Sequence, residues 1–144
     1  MASFAELLDR PPVFLRRALL LDAVASVGTA LAMIAAANYV EGLLGLPATL
    51  LRGAGLVLLP YVAFVIYAAI QPTISRPAVW TIVTANMLWA AASALLLMSG
   101  WVAPTALGYA FVIFQAVVVA LLGELQYMGL RRPAATARPG STAL

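Results

Sequence analysis

The sequence predicts an all-α polytopic membrane protein, a four-helix transmembrane bundle with both termini cytoplasmic. Three observations carry that prediction. Of 144 residues, 65% are hydrophobic and 9% are charged, whereas a soluble domain carries about a quarter charged residues. Four apolar stretches, about residues 15–40, 48–71, 78–98 and 105–130, are long enough to cross a bilayer as helices. Arg10, Arg16, Arg17, Arg76, Arg131, Arg132 and Arg138 fall at one set of segment ends and Arg52 alone at the other. The positive-inside rule therefore puts the first set in the cytoplasm. Residues 1–132 read as a single transmembrane domain and 133–144, rich in Pro, Ala, Gly, Ser and Thr, as a disordered cytoplasmic tail.

In chain order, Ser3 and Glu6 stand at capping-box spacing with apolar residues at 4, 7 and 8, the pattern of a short helix in the membrane interface that ends at Pro11-Pro12. Ala35-Ala36-Ala37 resembles a signal cleavage site, but the apolar run before it is too long and contains Asp22. The first span ends near Asn38 and Glu41, and Gly42, Gly45 and Pro47 make the turn that follows. Glu41 and Arg52 are expected to pair there. Pro60, in the middle of the second span, is expected to kink it and free a carbonyl. The polar break 71–77 precedes the third span, and 99–104, with Trp101, the fourth. The halves resemble a duplication. Asp22 precedes Thr29-Ala30-Leu31 as Asn86 precedes Ser93-Ala94-Leu95, so two in-out-in hairpins would be related by an axis along the membrane normal.

An acid inside a membrane is disfavoured unless it faces protein or water, so the polar residues in the spans are the candidate site. Asp22 lies about 9 Å past Arg16, Asn86 about 13 Å past Pro77 and Glu124 about 10 Å before Arg131 along ideal helices. With Tyr67 they are expected to form one belt in the inner leaflet. Ser26 and Thr29 share the face of Asp22, and Trp89, one turn from Asn86, is deep enough to line a pocket. Gln115 and Gln126 share a face nearly opposite that of Glu124, expected to meet a second copy or another membrane protein. Gly28, Ala32 and Ala36, and Ala90 with Ala94, are small-residue faces expected to serve close helix packing first. The belt is either a protonatable or cation-binding site, or interhelical glue with the acids reaching toward the arginines.

The residue inventory excludes much else. There is no Cys, His or Lys, hence no thiolate, imidazole or Schiff-base chemistry and no common metal site. No cofactor, metal or nucleic-acid partner is expected; the net charge of +3 belongs to topology. With Gly45-Leu46-Pro47 in the first outer loop and Gly53 and Gly55 opening the second span, the chain resembles the small four-helix bacterial membrane proteins of the DoxX-like kind. Arg52 stands where that family tends to carry an acid. The resemblance implies an accessory subunit of a membrane assembly and carries over no residue roles. The expectation is a non-enzymatic accessory or scaffolding component of a bacterial inner-membrane complex. The alternative is a minimal oligomeric transporter or channel for a small cation or lipophilic solute, using Asp22 and Glu124.

Overall fold

The computed structural model describes residues 11–131. The helix expected over 3–9, Arg10 and the tail with Arg132 and Arg138 lie outside the described residues. The described chain is all-helical: α1 (Pro11–Ala35), α2 (Ala37–Leu44), α3 (Ala48–Ile70), α4 (Arg76–Ser99) and α5 (Ala106–Arg131). Four of these, α1, α3, α4 and α5, are long and apolar enough to cross a membrane, and their outward faces carry large apolar side chains. This is a multi-pass membrane protein.

The first expected span is two helices. The chain bends at Ala36, and the ladder continues through Ala36 N–H to the Ala32 carbonyl and Val40 N–H to the Ala36 carbonyl, both 2.9 Å. The bend lays α2 against the start of α5. There the Leu44 carbonyl accepts from the Thr105 N–H at 3.0 Å and the Leu43 carbonyl from the Thr105 hydroxyl at 2.6 Å. Gly45 ends α2 at φ 66°, a conformation that favours glycine, and a Cβ there would also overlap the Ala103 carbonyl. Pro60 is accommodated within a single α3, its ring exposed. The expected Glu41–Arg52 pair does not form. Glu41 instead accepts from the Ala48 N–H at 3.1 Å, an acid meeting the first free amide of α3 where the helix dipole favours it. Arg52 turns to Asn38 at 2.5 Å.

The bundle is two packed pairs, α1 with α3 and α4 with α5. Helices α1 and α5 join the pairs, while α3 and α4 meet only slightly. At the arginine-rich end, arginines close the helices that terminate there. Arg16 of α1 donates to the Ala69 carbonyl at the end of α3 and, at 3.5 Å, to that of Pro72. Arg76 of α4 donates to the Leu130 carbonyl at the end of α5 at 2.8 Å. Both supply partners to carbonyls that a helix C-terminus leaves free. Two apolar clusters fill the interior, one around Leu19, Val65 and Ile82 toward that end, the other around Met33, Leu51 and Val112 toward the opposite end. Tyr61 packs against both, and the polar residues lie between them.

Small residues allow the close approaches. A Cβ on Gly55 would press on Ile34 and on the Ala30 carbonyl of α1, and one on Gly108 would overlap the Leu44 carbonyl. The expected stripe of Gly28 and Ala32 is exposed, with nothing within 4 Å of a Cβ built on Gly28, and Ala94 is exposed as well. The bundle packs through other glycines.

Candidate functional site

Four helices converge on one carboxylate. Asp22 of α1 is fully buried, as is Gln126 of α5, and Asn86 of α4 is 2% exposed. Asp22 Oδ2 accepts from the Tyr61 hydroxyl of α3 at 2.7 Å, Asn86 Nδ2 at 2.9 Å and Gln126 Nε2 at 2.6 Å; Oδ1 accepts from the Ser26 hydroxyl, one turn along α1, at 3.1 Å. Two more contacts close the ring. Asn86 Nδ2 donates its second hydrogen to Gln126 Oε1 at 3.0 Å, and the Tyr61 oxygen lies 3.0 Å from Asn86 Oδ1. Every hydrogen-bond partner of Asp22 is neutral, and Arg16, on the same helix, donates to carbonyls at the end of α3.

The donor arithmetic is informative. An ionised carboxylate only accepts, and here it meets four donors. Tyr61 has one hydroxyl hydrogen for two acceptors, Asp22 Oδ2 and Asn86 Oδ1. With Asp22 ionised, that hydrogen belongs to the carboxylate. With a proton on Oδ2, the acid donates to the Tyr61 oxygen and Tyr61 turns its own hydrogen to Asn86. The same heavy-atom geometry therefore serves both states, which differ by one proton on Asp22 and one rotation of the Tyr61 hydroxyl. Buried polar groups of this kind stay only when satisfied, and among the described residues no buried side-chain nitrogen or oxygen lacks a partner.

The halves build this node in parallel. Asp22 reaches Tyr61, 39 residues on, from α1 to α3; Asn86 reaches Gln126, 40 residues on, from α4 to α5. Asp22 and Asn86, the two residues matched in the expected duplication, then join the halves.

Of the expected belt, Asp22 and Asn86 come together, and Glu124 and Tyr67 do not join them. Glu124 is exposed on α5 and Tyr67 is 62% exposed near the end of α3. Gln126 enters in place of Glu124 because two residues turn a helix by about 200°, so one of the pair faces in when the other faces out. The shared face of Gln115 and Gln126 is the interior face, not an outward one. The sequence reading missed Tyr61; its spacing from Val65, Ala68 and Ala69, all buried, was the available signal.

Gln115 anchors a second, smaller network. Trp89 Nε1 donates to Gln115 Oε1 at 2.7 Å, Gln115 Nε2 to the Ser93 hydroxyl at 3.0 Å, and that hydroxyl to the Trp89 carbonyl at 2.8 Å. Two adjoining cavities lie between the networks. One, of about 120 Å³, is bordered by Ser26, Tyr61, Asn86 and Trp89; the other, of about 280 Å³, by Ser26, Thr29, Trp89 and Gln115. Ser26, Leu58, Trp89 and Val119 border both, and Trp89 thus lines a pocket as expected. Together the cavities approach the volume of small-molecule pockets, mostly apolar with a few convergent polar groups. Among the described residues no group of three or more His, Cys, Asp or Glu could hold a metal ion.

Fold and site define a multi-pass helical bundle with a buried carboxylate node and, beside it, a partly open cavity that reaches the exposed Val57 and Phe114. In the comparisons with known proteins, no family model, curated protein or solved structure matches the chain, so the DoxX-like resemblance assigns no role to these residues.

Proposed function

We propose that the protein is a non-enzymatic integral membrane protein that binds and moves a small cation or lipophilic solute through the interior of its own bundle. The observation that supports this reading is the pair of cavities bordering the Asp22 node, with Ser26, Tyr61 and Asn86 in both the node and the cavity wall. An intramembrane acid is retained at a cost and marks a pathway or a binding site more often than a structural joint. The absence of His, Cys and Lys from the sequence supports a role without catalysis. The setting that fits is a bacterial inner membrane, on the all-arginine basic set, with the arginine-rich end cytoplasmic.

The second reading, an accessory or scaffolding component of a membrane complex, is favoured by the complete hydrogen bonding of the node, which a structural joint also requires. The face of Gln115 and Gln126, expected to meet a partner, turns inward, and Glu124 is the polar residue exposed on the opposite side of α5. Proteoliposomes separate the two. A transporter gives capacitive currents on a jump in a small cation, abolished by Asp22→Asn. For an uncharged solute, a small bromoalkanol in the cavity quenches Trp89 in a Trp80→Phe, Trp101→Phe background. Silence in both assays from folded protein leaves the scaffold reading.

A further inference from the structure

The cavity wall has a polarity, and Asp22 sets it. Ser26 and Tyr61 border the cavity, yet with Asp22 ionised both point their single hydroxyl hydrogen away from it, at the carboxylate. Thr29, on the same helix face, spends its hydrogen on the Ala25 carbonyl at 2.9 Å. Asn86 commits both amide hydrogens, to Asp22 and Gln126, so only its Oδ1 has capacity left. Trp89 spends its N–H on Gln115. Three hydroxyls and one amide therefore face the space with lone pairs only. The one uncommitted amide hydrogen on the wall is the second of Gln115 Nε2, far from the node. A hydroxyl that donates to a carboxylate is also a better acceptor on its other side, because hydrogen bonds in a chain polarise one another.

Resting on the solute-binding reading above, we infer that the cavity takes a lipophilic ammonium ion, its N–H hydrogens on Ser26, Tyr61 and Asn86 and its apolar body among Leu58, Val119 and the Trp89 ring. Donors are what this wall lacks, and a cation supplies them. The Asp22 carboxylate, one hydroxyl away, is hydrogen-bonded to neutral groups alone, and its charge is screened less inside the bundle than in water. The Trp89 indole borders both cavities, and an indole is the side chain whose π face attracts a cation best. An anionic or acceptor-only head would oppose lone pairs on nearly every side.

The test uses the full chain in lipid nanodiscs with Trp80→Phe and Trp101→Phe, so that fluorescence reports Trp89 alone, and empty nanodiscs to correct for partition. The probes are hexylammonium, its neutral isostere 1-hexanol and the acceptor 2-heptanone. Hexylammonium is expected to bind saturably and at least tenfold more tightly than either neutral probe. Asp22→Asn turns an amide N–H₂ toward Ser26 and frees that hydroxyl to donate into the cavity. It is expected to cost hexylammonium tenfold or more while leaving 1-hexanol within twofold. Ser26→Ala, which retains the carboxylate, is expected to weaken hexylammonium about fivefold. Equal binding of all three probes overturns the inference and leaves the solute-binding reading standing. Unchanged hexylammonium affinity in both variants does the same. No saturable binding by any probe overturns both.

Discussion

Asp22 Oδ2 and Asn86 Nδ2 stand 2.9 Å apart across the centre of the bundle, and this contact joins the α1–α3 pair to the α4–α5 pair. Each residue also fastens its own pair, Asp22 to Tyr61 and Asn86 to Gln126. The arginine closures repeat the pattern, Arg16 on the end of α3 and Arg76 on the end of α5. One design, a polar residue on the leading helix reaching the trailing helix, occurs twice, and the two copies meet face to face.

Asp22→Asn is therefore expected to be mild for stability and Asp22→Leu severe. The asparagine carbonyl can take the position of Oδ2 and keep three donors satisfied, with its amide toward the Ser26 oxygen. Leucine leaves Tyr61, Asn86, Gln126 and Ser26 without their acceptor, at about 1–3 kcal/mol for each buried group left unsatisfied. Thermal unfolding in nanodiscs measures both. Equal loss from the two substitutions would show that the charge itself, not the acceptor set, holds the node together.

Tyr61→Phe removes one hydroxyl from a carboxylate that keeps two amide donors on the same oxygen. Intramembrane side-chain hydrogen bonds average about 0.6 kcal/mol and reach about 1.7 kcal/mol in double-mutant cycles, and the upper part of that range is expected here. A cycle of Tyr61→Phe with Asp22→Leu, which removes the acceptor, measures the pairwise energy. Zero coupling would mean that Tyr61 serves the packing of the two apolar clusters and not the node.

Two acidic or amide residues two positions apart on α5 give a sharp contrast. Gln126→Leu is expected to destabilise the bundle, since it removes a donor from Asp22 and an acceptor from Asn86. Glu124→Gln, on the exposed face, is expected to leave unfolding unchanged. Gln115→Leu should shift Trp89 emission, because the indole N–H loses its acceptor, without altering the oligomeric state. A change of oligomeric state with Gln115→Leu or Gln126→Leu would restore an outward role for that face.

The four spans were legible because length and hydropathy alone decide them, and Asp22 of the node with Asn86 and Trp89 of the cavity wall because polar or indole groups deep in a span are rare. The common face of Gln115 and Gln126 was legible too, from helical period. Which side of α5 faces in was not, because that depends on where α1 and α4 present donors and acceptors. Glu124 carries the formal charge yet stays exposed, whereas the uncharged amide of Gln126 is cheaper to bury and supplies both a donor and an acceptor. Tyr61 was not legible because a tyrosine in an apolar span suits the interface as well as the interior, and only Asp22 and Asn86 on facing helices decide between them.

The glycines of the bundle test its packing independently of any polar residue. Gly108 sits in the first turn of α5, where α2 folds over it. Its own N–H meets the Thr105 hydroxyl at 3.1 Å, and a Cβ would overlap the Leu44 carbonyl. Backbone cannot rotate aside as a flexible side chain can, so Gly108→Ala must push α2 off α5 and break the two Thr105 hydrogen bonds to Leu43 and Leu44. Gly28 lies in the middle of α1 on an exposed face with open space beyond it. There an added methyl meets nothing, and alanine is favoured in a helix interior by about 0.5–1 kcal/mol. The expected outcome is a marked loss of folded yield and melting temperature for Gly108→Ala and an unchanged or slightly higher melting temperature for Gly28→Ala. Both are read by size exclusion and thermal unfolding in the same detergent. Gly28→Ala as damaging as Gly108→Ala would mean that the outward stripe of α1 is covered by another chain in the membrane, and a loss of self-association in native-membrane crosslinking would then identify that chain as a second copy. A harmless Gly108→Ala would show that α2 does not press on α5, and with it would go the bend at Ala36 that brings the two together.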